Sequence, residues 1–229
     1  MTEPILNQTL TPSAEDYLKA IYVLSADAPA STTQIAQRLD LAPASVSGMI
    51  RRLSEQALID HEPYRGVVLT PAGRRVALTM LRRHRIVEAY LVEFLGYRLD
   101  NVHDEADRLE HAVSDTLVER MAAALGHPRF DPHGDPIPDH DGMLDDTVHT
   151  PLPGLPVGED AELRRVMTSD PDRLRYFAEA GLVPGANIRL LDLHPFDGPV
   201  TVRVEGLDRV LGRDLAMLLL CVRKADAPA

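Results

Sequence analysis

What this sequence lacks narrows its reading before any motif is considered. There is a single cysteine, Cys221, among 229 residues, so an intrachain disulfide is impossible and a zinc site built from several thiolates is excluded. Any bound metal has to be held by nitrogen and oxygen. No apolar run approaches the ~20 residues that a bilayer span requires, and the opening MTEPILNQTLTPSAEDY has neither the basic start nor the apolar stretch of an export signal. A cytoplasmic protein without membrane association is the expectation. Positive charge is also lacking overall, with a formal net charge of -11. That figure conceals a division, because residues 30–85 hold nine arginines against four carboxylates while the chain beyond residue 100 is acidic. One end can meet a polyanion while the other stays acidic.

What is present is a pattern of caps and periods. Thr11-Pro12-Ser13 caps a first helix over about 12–25, whose Tyr17, Leu18, Ile21, Tyr22 and Leu24 form an apolar stripe. Ser31-Thr32 opens a second helix, and a break at Leu41-Ala42-Pro43 leads into ASVSGMIRRLSEQAL, a helix-turn-helix pattern. Short strands at Leu58–Glu62 and Gly66–Leu69 flank Pro63-Tyr64-Arg65, the wing of a winged helix. Two long helices follow, about 71–95 ending at Gly96 and about 101–125 ending at Gly126, a common dimerisation element. Residues 127–158 contain seven of the 18 prolines and read as a linker. The last segment reads as a small SH3-like β domain with one helix, DRLRYFAEA, and strands at 188–193, 200–204 and 218–222.

The segment VHDEADRLEHAVSD is the most informative chemically. On one helix His103, Asp107 and His111 recur at i, i+4 and i+8 with Glu110 at i+7, and the preceding helix adds His84 and Glu88 at i, i+4. Two antiparallel helices would bring these donors together around a divalent cation. A solvated face laced with i, i+4 ion pairs is the alternative for either helix alone; the doubled set tips the reading toward metal. Imidazole and carboxylate donors suit Mn(II) or Fe(II), while other divalent transition metals bind such sites as well in vitro. No HExxH motif or activated nucleophile accompanies them. Cys221 reads as a buried core thiol, and His127, His133, His140 and His149, in or beside the linker, read as solvent-facing.

Taken in order, EDYLKAIYVL, ASVSGMIRRL, YRGVVLTPAGR, RRHRIVEAYL, VHDEADRLEHAVSD and GDPIP resemble the diphtheria toxin repressor family of metal-dependent transcription regulators, and GLVPGANIRLL with GPVTVRV resembles the SH3-like domain of its longer members. The resemblance implies a mainly α fold with a small β domain. A winged helix-turn-helix DNA-binding domain would span 1–73 and a helical metal-binding and dimerisation domain 74–150, with a proline-rich linker to about 158. An SH3-like (FeoA-like) barrel would span 159–229.

It also implies a primary metal site of Asp16, Asp107, Glu110 and His111 and an ancillary site of His84, Glu88 and His103. Iron-responsive members have methionine where Asp16 stands and cysteine where Asp107 stands, whereas the manganese-responsive branch has carboxylates, so hard donors point to Mn(II) with Fe(II) as a weaker activator. Lys19 stands where that branch has a further carboxylate, which argues against its binuclear arrangement. Longer members lend ancillary ligands from the SH3-like domain, and no match for these is seen near Arg165 and Thr168.

The implied function is a dimeric repressor of metal-homeostasis genes that binds a palindromic operator on double-stranded DNA and is not an enzyme. An iron-responsive regulator is the alternative within the fold, and a metal-dependent phosphoesterase the alternative outside it. The recognition helix would begin at Pro43 and present Ser45, Ser47 and Arg51 to bases or phosphates and Arg52 to the backbone. Thr32 or Thr33, with Tyr64 and Arg65 of the wing, are phosphate candidates. Any one of these serines or arginines reads equally well as a cap or a surface charge. Gly48 offers no side chain to a base.

Overall fold

Each of the first three helices starts where the chain supplies a cap or a proline for it. Helix α1 (Pro12–Leu24) follows Thr11, whose hydroxyl accepts the amide of Ala14; α2 (Thr32–Arg38) opens on a reciprocal box between Ser31 and Gln34; α3 (Pro43–Glu55) has proline in its first turn. Their apolar faces meet in one core, in which Leu18, Ile21, Ile35, Val46 and Leu53 are wholly buried. Full burial of each such side chain stabilises by roughly 1.5–3 kcal/mol. Strands β1 (Ile59–Glu62) and β2 (Gly66–Leu69) form the expected antiparallel wing, and Val67 exchanges two 2.9 Å backbone bonds with Ala30. Thr70 then caps α4 (Pro71–Leu95) by accepting the amide of Gly73.

The computed structural model describes residues 10–26, 28–62, 65–145 and 147–224. They fall into two compact units, Met1–Arg83 with His140–Gly142 and His84–Asp139 with Met143–Ala229. In the second unit the helix expected over 101–125 is two helices, α5 (Val102–Leu109) and α6 (Asp115–Ala124). The reason is Ser114, whose side chain accepts the amide of Leu117 and so starts a new helix after a turn. Glu110 and His111 therefore sit at and just beyond the end of α5.

The proline-rich segment is not a free linker. Ile137 joins Ile86, Val118 and Ala122 in a small core, Asp131 and His133 are buried, and Thr150 and Pro151 (β3) are already part of the C-terminal sheet. That sheet also comprises β4 (Asp160–Val166), β5 (Asn187–Leu193), β6 (Val200–Val204), β7 (Leu207–Leu211) and β8 (Leu219–Arg223), in the order β3-β8-β4-β5-β6-β7 with every pair antiparallel. Helix α7 (Pro171–Glu179), capped by Asp170, buries Leu174 and Phe177 against it, and a single turn, α8 (Arg213–Ala216), leads into β8. Cys221 is buried in this core as expected, its thiol pushed up to about 12 by burial.

Candidate metal centre

The second half of α4 carries His84 and Glu88 one turn apart, and α5 carries His103 and Asp107 likewise; all four side chains meet. Glu88 Oε1 lies 3.0 Å from His84 Nε2 and 3.0 Å from His103 Nδ1. His84 Nδ1 lies 2.6 Å from Glu110 Oε2 and 3.3 Å from Asp107 Oδ1, and the other oxygen of Glu110 is 3.5 Å from His111 Nε2. His103 Nε2 and Asp107 Oδ2 are 3.7 Å apart. The residues read from sequence as two separate sets are therefore contiguous in this unit, joined through His84 and Glu110. Asp16 stands on α1, in the first unit.

A further set was not legible in the sequence. Glu88 Oε2 lies 4.0 Å from His133 Nδ1, and Glu88, Asp131 and His133 bring three donor atoms within 4.8 Å of one another. Donors of the sets His84, Glu88, His103 and His84, Asp107, Glu110 lie equally close. His133 is thus neither exposed nor idle, against the expectation for a linker histidine. Its backbone amide donates to Asp131 Oδ1, its Nε2 lies 3.1 Å from the carbonyl of Leu99, and its own carbonyl accepts from Val166 of β4. His127 and His140 are exposed and His149 is half-buried.

The SH3-like sheet reaches this region by ion pairing. Asp135 pairs with Arg165 of β4 and lies 3.6 Å from Arg85 Nη2, while Arg85 Nε is 3.7 Å from Asp131 Oδ2. Thr168 accepts from the amide of Asp170 in a local turn.

The electrostatics suit a cation. Burial works against a charged His84, but hydrogen bonds with Asp107, Glu110 and Glu88 outweigh it and raise its pKa well above the ordinary value. Burial likewise works against a charged Glu88, yet the hydrogen bonds of His103 and His84 hold it far below the carboxylate range. Asp131 is pushed well up, first by burial and then by the charges of Asp135 and Glu88. His84 therefore contributes stability below its unfolded pKa that is lost as pH rises through the raised folded value; Glu88 contributes stability above its unfolded pKa that is lost as pH falls through the lowered one. Metal ligation requires a neutral imidazole and an ionised carboxyl, so protons must leave His84 or Asp131. About one proton or more per ion should be released near neutral pH, with affinity falling as pH drops. Titration calorimetry in buffers of different ionisation enthalpy checks this; zero release counts against it.

The residues expected from the sequence to contact DNA lie in the first unit. Pro43, Ser45, Ser47, Arg51, Arg52 and Arg65 are exposed, as is Thr33, and Thr32 is half-buried; Tyr64 lies outside the described residues. Ser47 donates to the carbonyl of Pro43, and Arg51 Nε is held 2.9 Å from Glu55 Oε1. Thr32, Ser47, Arg51 and Glu55 line one concavity of about 250 Å³ with His61 of β1, a wing residue with no signal in the sequence pattern.

Three sequence-family models match the chain: the iron dependent repressor N-terminal DNA binding domain over residues 9–67, the iron dependent repressor metal binding and dimerisation domain over 70–139, and the FeoA domain over 150–223. The chain is 30% identical to the diphtheria toxin repressor of Corynebacterium efficiens over 221 residues, 90% of this chain and 94% of that protein. It is 30% identical to the iron-dependent repressor IdeR of Mycobacterium tuberculosis over 217 residues, 88% of this chain and 92% of that one. Among solved structures, a manganese-dependent transcriptional repressor in complex with manganese aligns with TM-score 0.85 at 41% identity, covering 92% of this chain and 99% of the other. The manganese regulator SloR aligns with TM-score 0.74 at 34% identity, covering 94% and 100%.

Proposed function

The chain belongs to the diphtheria toxin repressor family of metal-dependent, DNA-binding transcriptional repressors, and from that premise we propose that it is a manganese sensor controlling genes of metal-ion homeostasis, with Fe(II) as a weaker activator. Members of this family are not enzymes. The phosphoesterase alternative has no support, because the histidine and carboxylate cluster falls within the repressor metal binding and dimerisation domain.

The observation that carries the manganese reading is the donor set. Every ligand atom in the three clusters of the second unit is an imidazole nitrogen or a carboxylate oxygen, and the sole cysteine is buried in the SH3-like core. Such donors are hard to borderline and favour Mn(II) in the cell, where availability as well as affinity decides. The similarity to a repressor solved with manganese supports this, while the similarity to the iron-dependent IdeR keeps Fe(II) as the second activator. A bound ion would supply the positive charge that neutralises the clustered carboxylates.

Asp107, Glu110 and His111 are proposed as ligands of one ion, with Asp16 of the DNA-binding domain as a fourth on the resemblance alone. His84, Glu88 and His103 are proposed for a second, and Asp131 and His133 reach the same Glu88. Asp16 is on the DNA reader and His111 on the dimerisation domain, so a shared ion would set the distance between the two recognition helices of a dimer. That distance must match successive major grooves, about 34 Å apart. A two-fold dimer reads a palindromic operator, and the cytoplasm, where the DNA is, is the proposed location. Phe94 and Leu95, 50% and 61% exposed at the end of α4, supply apolar surface for a second copy to cover.

Gel-shift titration of a duplex enriched from a random pool tests the switch. Mn(II) is expected to raise affinity by about 5–150-fold over chelator. Equal affinity in Mn(II) and chelator would reject the proposal, and activation by Fe(II) at lower concentrations than Mn(II) would transfer it to iron.

A further inference from the structure

Helix α3 contains a glycine that neither the backbone nor the packing of the chain accounts for. Gly48 lies in the helix interior, outside the residues with positive φ. There glycine is less favourable than alanine. A Cβ built on Gly48 meets nothing within 4 Å, so no neighbour demands the missing methyl. At roughly 3.6 residues per turn, Gly48 falls on the side of α3 opposite the buried Val46, Ile50 and Leu53. The residue one turn before it on that face, Ala44, is also small and exposed; one turn after it come the exposed Arg51 and Arg52. The outward face of the recognition helix thus carries only small side chains (Ala44, Ser45, Ser47) around Gly48 in its N-terminal half and is cationic beyond. Base contacts in helix-turn-helix proteins come from that N-terminal half.

We propose that Gly48 is a specificity-determining residue: its missing side chain lets the backbone of the recognition helix seat against the edges of the bases, at a depth that even a methyl group prevents. The major groove is about 12 Å wide and a helix with side chains about 10–12 Å across, so the fit leaves little slack. Arg51 and Arg52 then flank this small-residue strip, and Glu55 orients the guanidinium of Arg51. Close backbone approach to a ligand is a role for which glycine is suited. The inference rests on the DNA-binding reading above and adds to it the residue that sets the depth of docking.

The test is Gly48→Ala in the full chain with Mn(II), compared with wild type on the duplex that wild type enriches from a random pool and on a scrambled duplex. The variant should melt about 2–4 °C higher, because alanine is the better helix former. It should bind the enriched duplex at least fivefold more weakly and the scrambled duplex with unchanged affinity, since nonspecific binding is carried by phosphate contacts. A loss smaller than fivefold, an equal loss on both duplexes, or a lowered melting temperature would each overturn the assignment. If wild type enriches no duplex at all, the DNA-binding reading falls together with it; if wild type enriches one and the variant binds it equally well, only the role of Gly48 falls.

Discussion

Glu88→Ala is expected to remove at least one bound Mn(II) per subunit, cut the metal-induced gain in DNA affinity from about 5–150-fold to below about twofold, and destabilise the metal-free protein by about 3–5 kcal/mol. Both losses follow from the position of one side chain. Glu88 is 2% exposed, its Oε1 lies 3.0 Å from a nitrogen of His84 and 3.0 Å from one of His103, and its Oε2 faces His133 at 4.0 Å. Like His84, it belongs to two of the three donor sets among the described residues of its unit. Without metal, Glu88 is the buried partner of both His84 and His103, and although Asp107 and Glu110 also face His84, truncation removes one partner from a buried ion-pair network; that is the costly case for a buried pair. Glu88→Gln separates the two effects, because the amide fills the same volume and still hydrogen-bonds but brings no charge to a cation. Denaturation in chelator reads the stability, and metal analysis after dialysis reads the stoichiometry. Wild-type stoichiometry in Glu88→Ala would remove Glu88 from the metal site.

The parts of this molecule that were legible in the sequence are those whose cause is local. Thr11, Ser31 and Thr70 announce helix starts through their own side chains, and the apolar spacing of α1 and α3 places Leu18, Ile21, Val46 and Ile50 in the core. His84 with Glu88, and His103 with Asp107, were readable because i, i+4 spacing alone aligns them. The rest has causes remote in sequence. Asp131 and His133 are buried in a segment held by contacts remote in sequence, among them the bond from β4 about thirty residues further on, and proline content masks that order. The break between α5 and α6 was signalled by Ser114, but the continuous run of acidic and histidine residues before it outweighed one cap. Strand β4 is masked in the sequence because Arg164 and Arg165 interrupt its alternation where the register shifts after Leu163, and β7 because it is an edge strand paired on one side and largely exposed.

That remote cause has a sharp test in Gly134. Its φ of +85 lies in the left-handed region, and a Cβ there would stand 1.9 Å from the carbonyl oxygen and 2.8 Å from the carbonyl carbon of Arg164. The obstacle is the backbone of β4 and cannot rotate away. Gly134→Ala therefore combines left-handed strain of about 1–2 kcal/mol with overpacking of about 1–3 kcal/mol, and should destabilise by roughly 2–5 kcal/mol. Relief requires the segment to withdraw from β4, which breaks the bond from Val166 N–H to the carbonyl of His133 and carries His133 and Asp131 away from Glu88. The variant should thus lose about 10–100-fold in affinity at the set those residues share, the range found when the support of a metal ligand is removed. Arg165→Ala is the contrasting variant. It deletes the ion pair to Asp135 but leaves the backbone contact, and a partly exposed pair of this kind is worth about 1 kcal/mol or less. A large loss from Gly134→Ala beside a small one from Arg165→Ala would mean that steric fit of the backbone, more than charge, ties the metal-binding segment to the SH3-like sheet; the reverse order would assign the tie to the arginine.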